Sequence, residues 1–421
     1  MSLARVHWFG RRPSLATPSE GRVPSFDPMD FSPALKTRLL ILQPTPFCNI
    51  ECDYCYLPDR NSTARMSLDT VRLAAERLND DRLVGAQLGI VWHAGEPLTV
   101  PCGFYDEAIG VLHEVLGDRT ALSHSIQTNG TLINDSWCAL FKRHHIKVGV
   151  SVDGPANLHD THRRTRSGRG THVRAMRGMQ KLREHQIPFH AIAVVTAETF
   201  AFKDEFFNFF VQAGVAELGC NFDEAEGAHG ESSLSNHEAE HAAFVRRMLE
   251  LSEGGTVGPR LRELSSAFQL IATPLPKSSW GGRSLPDNAQ TSPFALVSVA
   301  HNGDFGTFSP ELLGQTSYEF NNFVLGNVAA NGFLASTKTE PFARLWREVV
   351  RGIDSCERTC AYFSFCGGGA PANKLYENGT VASGETLYCR TMLQRPLIEA
   401  LGCLERRIAT NVRAKQVAHH E

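Results

Sequence analysis

Six short apolar runs separated by amphipathic stretches constrain this chain more than any other feature. They are RLLILQP (38–44), LGIVWHAG (88–95), LSHSIQTNG (122–130), KVGVSVDG (147–154), FHAIAVVT (189–196) and ELGCNFD (217–223). Runs this short and apolar read as buried strands. Between them SLDTVRLAAERLN, FYDEAIGVLHEVLG and THVRAMRGMQKLREH carry helical periodicity, with Ser67 placed to cap the first and Gly117 to end the second. Strand and helix alternating in this way imply a parallel sheet that curls toward a barrel. Six units fall short of the eight of a closed TIM barrel. The expected fold is therefore α/β, a partial (β/α)6 TIM barrel. Ligands of such folds bind beyond the C-terminal strand ends, where Cys48, HAGEP (93–97), QTNG (127–130) and SVDG (151–154) stand.

The alternation sets the domain boundaries. Residues 1–36 are rich in Pro, Ser, Gly and Arg without periodicity and read as a flexible arm, in which ARVHWFGRRP sets aromatics beside arginines. The barrel spans 37–245, a helical and linker segment 246–293, a smaller module 294–400, and a C-terminal helix or tail 401–421. A formal net charge of −3 suggests neither nucleic acid nor an anionic membrane as partner. No apolar run approaches the ~20 residues of a membrane span, and no signal-like apolar stretch opens the chain. The expected compartment is cytoplasmic.

Eleven cysteines are many for such a compartment, and seven of them form two tight groups. Clustered cytosolic cysteines argue for metal or redox chemistry rather than disulfides. Cys48, Cys52 and Cys55 supply three thiolates from one loop, one short of a closed tetrahedral site. Three ligands suit a [4Fe–4S] cluster with one open iron. Cys356, Cys360, Cys366 and Cys389 supply four, and their spacing alone does not separate zinc from iron–sulfur.

The first group, C-x3-C-x2-C with Tyr54 before its last cysteine, resembles the signature of the radical S-adenosylmethionine (SAM) superfamily. That resemblance implies SAM bound through its amino and carboxylate groups to the open iron, and reductive release of a 5′-deoxyadenosyl radical. AGEP (94–97) resembles the family's Gly-Gly-Glu-Pro motif with Ala94 in place of the first glycine, which implies that Gly95 and Glu96 hold the SAM amino group. Ser151 is similar to a ribose-contacting serine of the sulfatase-maturase branch, and Arg163, with Arg164 beside it, to that branch's arginine for the SAM carboxylate. Asn129 is a further expected contact, and Tyr54 is expected near the adenine.

The second group resembles a reduced SPASM domain, the auxiliary-cluster module of peptide-modifying radical SAM enzymes. Ala370 stands where the family's core has its last cysteine, and VSVAHNGDFGTF has the expected hairpin without flanking cysteines. The inner auxiliary cluster therefore looks lost. Cys356, Cys360, Cys366 and Cys389 would ligate one outer [4Fe–4S] cluster, with Cys403 as a spare candidate. WHAGEPL, FSPELLG and CAYFSFCGGGAPANK are similar to cyclophane-forming maturases of Gly-rich ribosomal precursor peptides. There the radical removes a β-hydrogen from a peptide residue, the carbon bonds to an aromatic ring, and one electron and one proton leave. An auxiliary cluster is a natural electron acceptor, and a flavodoxin or ferredoxin the implied electron donor. Asp223, Glu224, Asp304 and Glu311 are the candidate bases. Thioether formation and formylglycine generation on sulfatases are the rival enzyme readings. A noncatalytic zinc or redox binding protein is the rival outside enzymology.

Overall fold

The computed structural model describes residues 26–254 and 258–418, so the aromatic–arginine stretch of the arm lies outside the described residues. All six expected strands form: β1 (Leu39–Leu42), β2 (Gln87–Trp92), β3 (Ala121–Thr128), β4 (Lys147–Ser151), β5 (Phe189–Val195) and β6 (Glu217–Phe222). They pair parallel in chain order, from Leu39↔Gly89 through His190↔Glu217. Leu40 and Leu42 are fully buried, as are Ile90 and Trp92. Strands covered on both faces need this apolar character, because helices pack on the outer side. Helix α1 (Leu68–Asp80) begins where Ser67 Oγ accepts the Thr70 amide at 3.0 Å, and α2 (Cys102–Leu116) closes on the Gly117 amide bonded to the His113 carbonyl.

The result is a mixed α/β fold around a large, mostly parallel sheet. Three strands from the expected C-terminal module belong to that sheet, the third being Gly326–Asn327 at its edge. Leu296–Val299 pairs parallel with β1, Leu39 opposite Leu296, and Asp304–Thr307 pairs antiparallel beyond it. The hydrophobic core is correspondingly continuous from Leu40 to Cys403. The boundary at 294 is thus corrected: β1 needs a partner on its open side, and the hairpin supplies one.

Two further expectations are revised. The arm is docked from residue 26 onward. Asp27 caps a short turn, Ser32 exchanges both backbone hydrogen bonds with Ser279, and Phe26 and Phe31 pack against Trp346 and Trp280. Burial of aromatic surface outweighs the disorder that Pro and Ser favour. The 274–293 stretch, read as linker, holds a hairpin of Lys277–Trp280 and Arg283–Pro286 turned by Gly281 and Gly282, both at positive φ. No helix is long and apolar enough to cross a membrane among the described residues.

Candidate functional site

The C-terminal ends of β1 to β4 bring the first cysteine group together with the residues singled out around it. The loop after β2 docks on the loop after β1: the Glu96 amide donates to the Phe47 carbonyl at 2.7 Å. A Cβ at Gly95 would lie 2.5 Å from both the Phe47 and Thr45 carbonyl oxygens, so only glycine permits this approach. Ala94 before it sits at φ +73°, a left-handed conformation that glycine would adopt without strain.

Glu96 is 1 % exposed, and its carboxylate accepts from Leu98 N at 2.9 Å, Thr128 Oγ1 at 2.6 Å and Asn129 N at 2.7 Å. These bonds tie the second strand end to the third. Burial still pushes its pKa up to about 7, and a cation beside it would hold it ionised. Asn129 Nδ2 approaches Cys48 Sγ at 3.9 Å, and Gln127 Nε2 donates to Ser151 Oγ at 2.8 Å.

A residue pair organises the other side. Ile50–Cys52 and Arg163–Thr165 form a small antiparallel ladder with Cys52 opposite Arg163. Arg163 is buried, bonds bidentately to Asp153 at 2.8 and 3.1 Å, and extends Nη1 to 3.9 Å from Cys52 Sγ. Arg164 points away to the Asp160 carbonyl, so of the two arginines it is Arg163 that faces the cysteines. Tyr54 donates its hydroxyl to the same Asp153 carboxylate and lies under the Arg163 guanidinium, 5.4 Å from ring centroid to Cζ. Arg166 holds the cysteine loop through the Cys48 and Arg60 carbonyls. Asp153 and Arg166 were both missed as site residues, although Asp153 lies inside SVDG (151–154) and Arg166 only three residues beyond Arg163.

The donor chemistry suits a metal cluster. Cys48 is raised to about 11 and Cys52 to about 12, mainly by burial, with neighbouring thiols adding to it. Thiols buried in this way ionise together only when a cation such as cluster iron compensates them.

Cys356, Cys360, Cys366 and Cys389 also converge: each of the last three feels the charge of other members of the set. Burial raises Cys360 to about 11. Thr386 Oγ1 donates to Cys389 Sγ at 3.2 Å, and the Gly368 and Gly369 amides face Cys366. The run Gly367–Gly369 takes three successive positive φ values, a path open to glycine alone, and Asn288 Nδ2 clamps it through the Cys366 and Gly369 carbonyls at 2.7 and 2.8 Å. Cys403 is not part of this set, because its Sγ bonds to Glu253 Oε1.

Between the two thiol groups lies a set of glutamates. Glu224, Glu226 and Glu311 are electrostatically coupled, Glu224 and Glu226 share a hydrogen bond, and burial raises all three pKa values. All three side chains are half-buried. Tyr56, close to Cys55, faces Glu226 and Glu311, while Tyr388, next to Cys389, faces Glu224 and Glu311. Asn373 Nδ2 donates to Glu224 Oε2 at 2.5 Å.

Two expected bases fall outside this set. Asp223 spends its oxygens on the Ser233 amide and His229 Nε2, which brace its own loop. Asp304 accepts from the side-chain amides of Asn302 and Asn327 in the hairpin. Short-range hydrogen-bond donors, invisible to motif reading, claim both. Glu226, overlooked in CNFDEAEG, takes their place.

A parallel α/β sheet carrying three thiols at its strand ends defines a cluster-dependent enzyme class, and sequence comparison names it. Residues 42–209 match the Radical SAM superfamily. The uncharacterized protein sll1766 of Synechocystis sp. is 39 % identical over 376 residues, 88 % of this chain and 92 % of that one. The serine-type anaerobic sulfatase-maturating enzyme of Klebsiella aerogenes is 37 % identical over 186 residues, 44 % of this chain and 46 % of its own. Among solved structures, anSMEcpe with bound AdoMet superposes with a TM-score of 0.68 at 18 % identity, covering 89 % of this chain and 99 % of that one. Streptococcus suis SuiB bound to precursor peptide SuiA gives 0.56 at 14 % identity, covering 85 % and 76 %. The chain belongs to the radical SAM superfamily, whose members use SAM and a [4Fe–4S] cluster, and part of it is similar in sequence to anaerobic sulfatase-maturating enzymes.

Proposed function

We propose that this enzyme modifies a ribosomally made precursor peptide by joining a side-chain β-carbon to an aromatic ring. The observation that carries this reading is the coupled glutamate set between the two thiol groups. When bound, SAM on the open cluster supplies a hydrogen-abstracting 5′-deoxyadenosyl radical, and a closed cluster supplies a one-electron acceptor. Cys48, Cys52 and Cys55 would hold the first cluster, and Cys356, Cys360, Cys366 and Cys389 the second. Glu96, Gly95 and Asn129 would receive the SAM amino group, Arg163 its carboxylate, Ser151 its ribose and Tyr54 its adenine side. Asp153 orients Arg163 and Tyr54 together.

Abstraction of the β-hydrogen leaves a carbon-centred radical on the peptide. Its bond to the ring leaves one electron and one proton in excess. The proton would go to an ionised member of the Glu224, Glu226 and Glu311 set, and a cluster held by Cys356, Cys360, Cys366 and Cys389 would supply the acceptor for the electron, with an external one-electron carrier protein as its final destination. A carboxylate whose conjugate acid has a raised pKa is a stronger base than an ordinary carboxylate.

Formylglycine generation is the second reading, favoured by the similarity to the Klebsiella aerogenes enzyme. Against it stands the cysteine-free hairpin of 296–307, which leaves thiols for one auxiliary cluster. The test is anaerobic turnover with a Gly-rich precursor peptide and, separately, a sulfatase peptide, read by mass spectrometry. Both products lose two hydrogens. A product resistant to hydrazide and unbroken between the joined residues on fragmentation supports the crosslink, whereas a hydrazide-reactive aldehyde on the sulfatase peptide overturns it. Zinc without iron would remove both enzyme readings.

A further inference from the structure

Lys374 has no role in the chemistry described so far, yet its position is unusual. It lies on the helix Pro371–Asn378, is 2 % exposed, and donates from Nζ to the Gly352 carbonyl at 2.8 Å. Among the described residues no Asp or Glu stands within ion-pair distance of it. An ammonium withdrawn from water with a neutral carbonyl as partner is strongly unfavourable unless opposite charge lies close by.

The backbone is shaped to admit this side chain. A Cβ at Gly352 would stand 2.9 Å from Lys374 Nζ. One at Gly369 would stand 3.4 Å from Lys374 Cε and 3.7 Å from Cys389 Sγ, so Cε and Sγ flank one small gap and are no more than about 7 Å apart. The compensating charge is therefore the thiolate set of the second cysteine group.

We propose that Lys374 is a built-in cation that raises the reduction potential of the auxiliary cluster and so makes it the better electron acceptor. This rests on the reading of Cys356, Cys360, Cys366 and Cys389 as its ligands. Reduction adds one negative charge to the cluster, and a buried cation at this range stabilises the reduced form more than the oxidised one. The same helix touches both groups: Asn373 donates to Glu224, and Lys374 stands beside Cys389.

The test is a potentiometric titration of the reconstituted full chain followed by electron paramagnetic resonance, comparing wild type, Lys374→Met and Lys374→Arg, with iron and sulfide counted in each. Lys374→Met should keep its iron. At a fixed poise its ratio of reduced to oxidised auxiliary cluster should fall at least tenfold, a midpoint about 59 mV more negative for one electron, with the first cluster unmoved. Lys374→Arg should hold the wild-type midpoint. Loss of auxiliary iron in Lys374→Met but not Lys374→Arg also supports the proposal, since charge is then needed even for assembly. An unchanged midpoint in Lys374→Met at full iron content overturns it, as does loss of iron in both variants, which would make shape the requirement. A wild-type iron count unaffected by Cys389→Ala refutes the cluster reading itself, and the Lys374 proposal with it.

Discussion

The two cysteine groups are built on opposite plans. The first hangs on a loop at the end of a parallel sheet, faced by side chains from three other strand ends: Glu96, Asn129 and the Asp153–Arg163 pair. The second is wrapped by its own helices and a glycine loop, with backbone amides, Thr386 and Lys374 around it. Polar groups able to grip a small molecule surround the group that is one thiol short. Backbone donors and a lone cation surround the group that is complete. The difference teaches that thiol count and surroundings vary together: on the proposed reading, one site would bind and react and the other would store charge.

The largest effect that could break this comparison comes from cysteine substitution. Cys52→Ala should abolish 5′-deoxyadenosine formation. Cys366→Ala should retain SAM cleavage but lose peptide crosslinking, with about four of about eight irons gone. Equal loss of SAM cleavage in the two variants would erase the distinction.

Next in size is the pair that organises the first site. Asp153→Asn leaves the buried Arg163 without its counter-charge and should destabilise the protein by about 3–5 kcal/mol, read from denaturant midpoints. Adding Arg163→Met should recover part of that loss. A strictly additive double variant would show that the two residues do not act as a unit.

Smaller, and graded by pH, is the effect of the glutamates between the sites. Their folded-state pKa values are raised above the unfolded value of about 4.3, so above that pH the folded chain keeps protons the unfolded chain has lost. Their contribution to stability is thus present in acid and declines as pH rises through neutrality. Glu226→Gln should flatten that decline and slow crosslinking while sparing 5′-deoxyadenosine formation. A variant that tracks wild type in both would exclude Glu226 as proton acceptor.

The smallest expected change is at Ala94. Glycine relieves the positive φ but loosens the unfolded chain, so Ala94→Gly should stabilise by roughly 0.5–1 kcal/mol. A measurable loss of stability would show that the Ala94 methyl packs better than its backbone strain costs.

The six strands were legible in the sequence to within a few residues, because apolar runs between amphipathic helices have no other way to bury both faces. The three open cysteines were legible for a similar reason: their spacing lies within one loop and needs no fold to bring it together. Long-range partners were not. Nothing local in SVDG marks Asp153 as the counter-ion of Arg163, and Asp223 and Asp304 looked as free as Glu224 until their own neighbours claimed them. The sheet's extension into Leu296–Val299, the docking of Phe26 and Phe31, and the seating of Lys374 beside Cys389 depend on contacts between segments far apart in the chain. Local pattern alone determined the elements and singled out the two cysteine groups. Only tertiary structure decided which charges face each other, because burial and pairing set a carboxylate's or an ammonium's behaviour, and both are properties of neighbours that the sequence does not place.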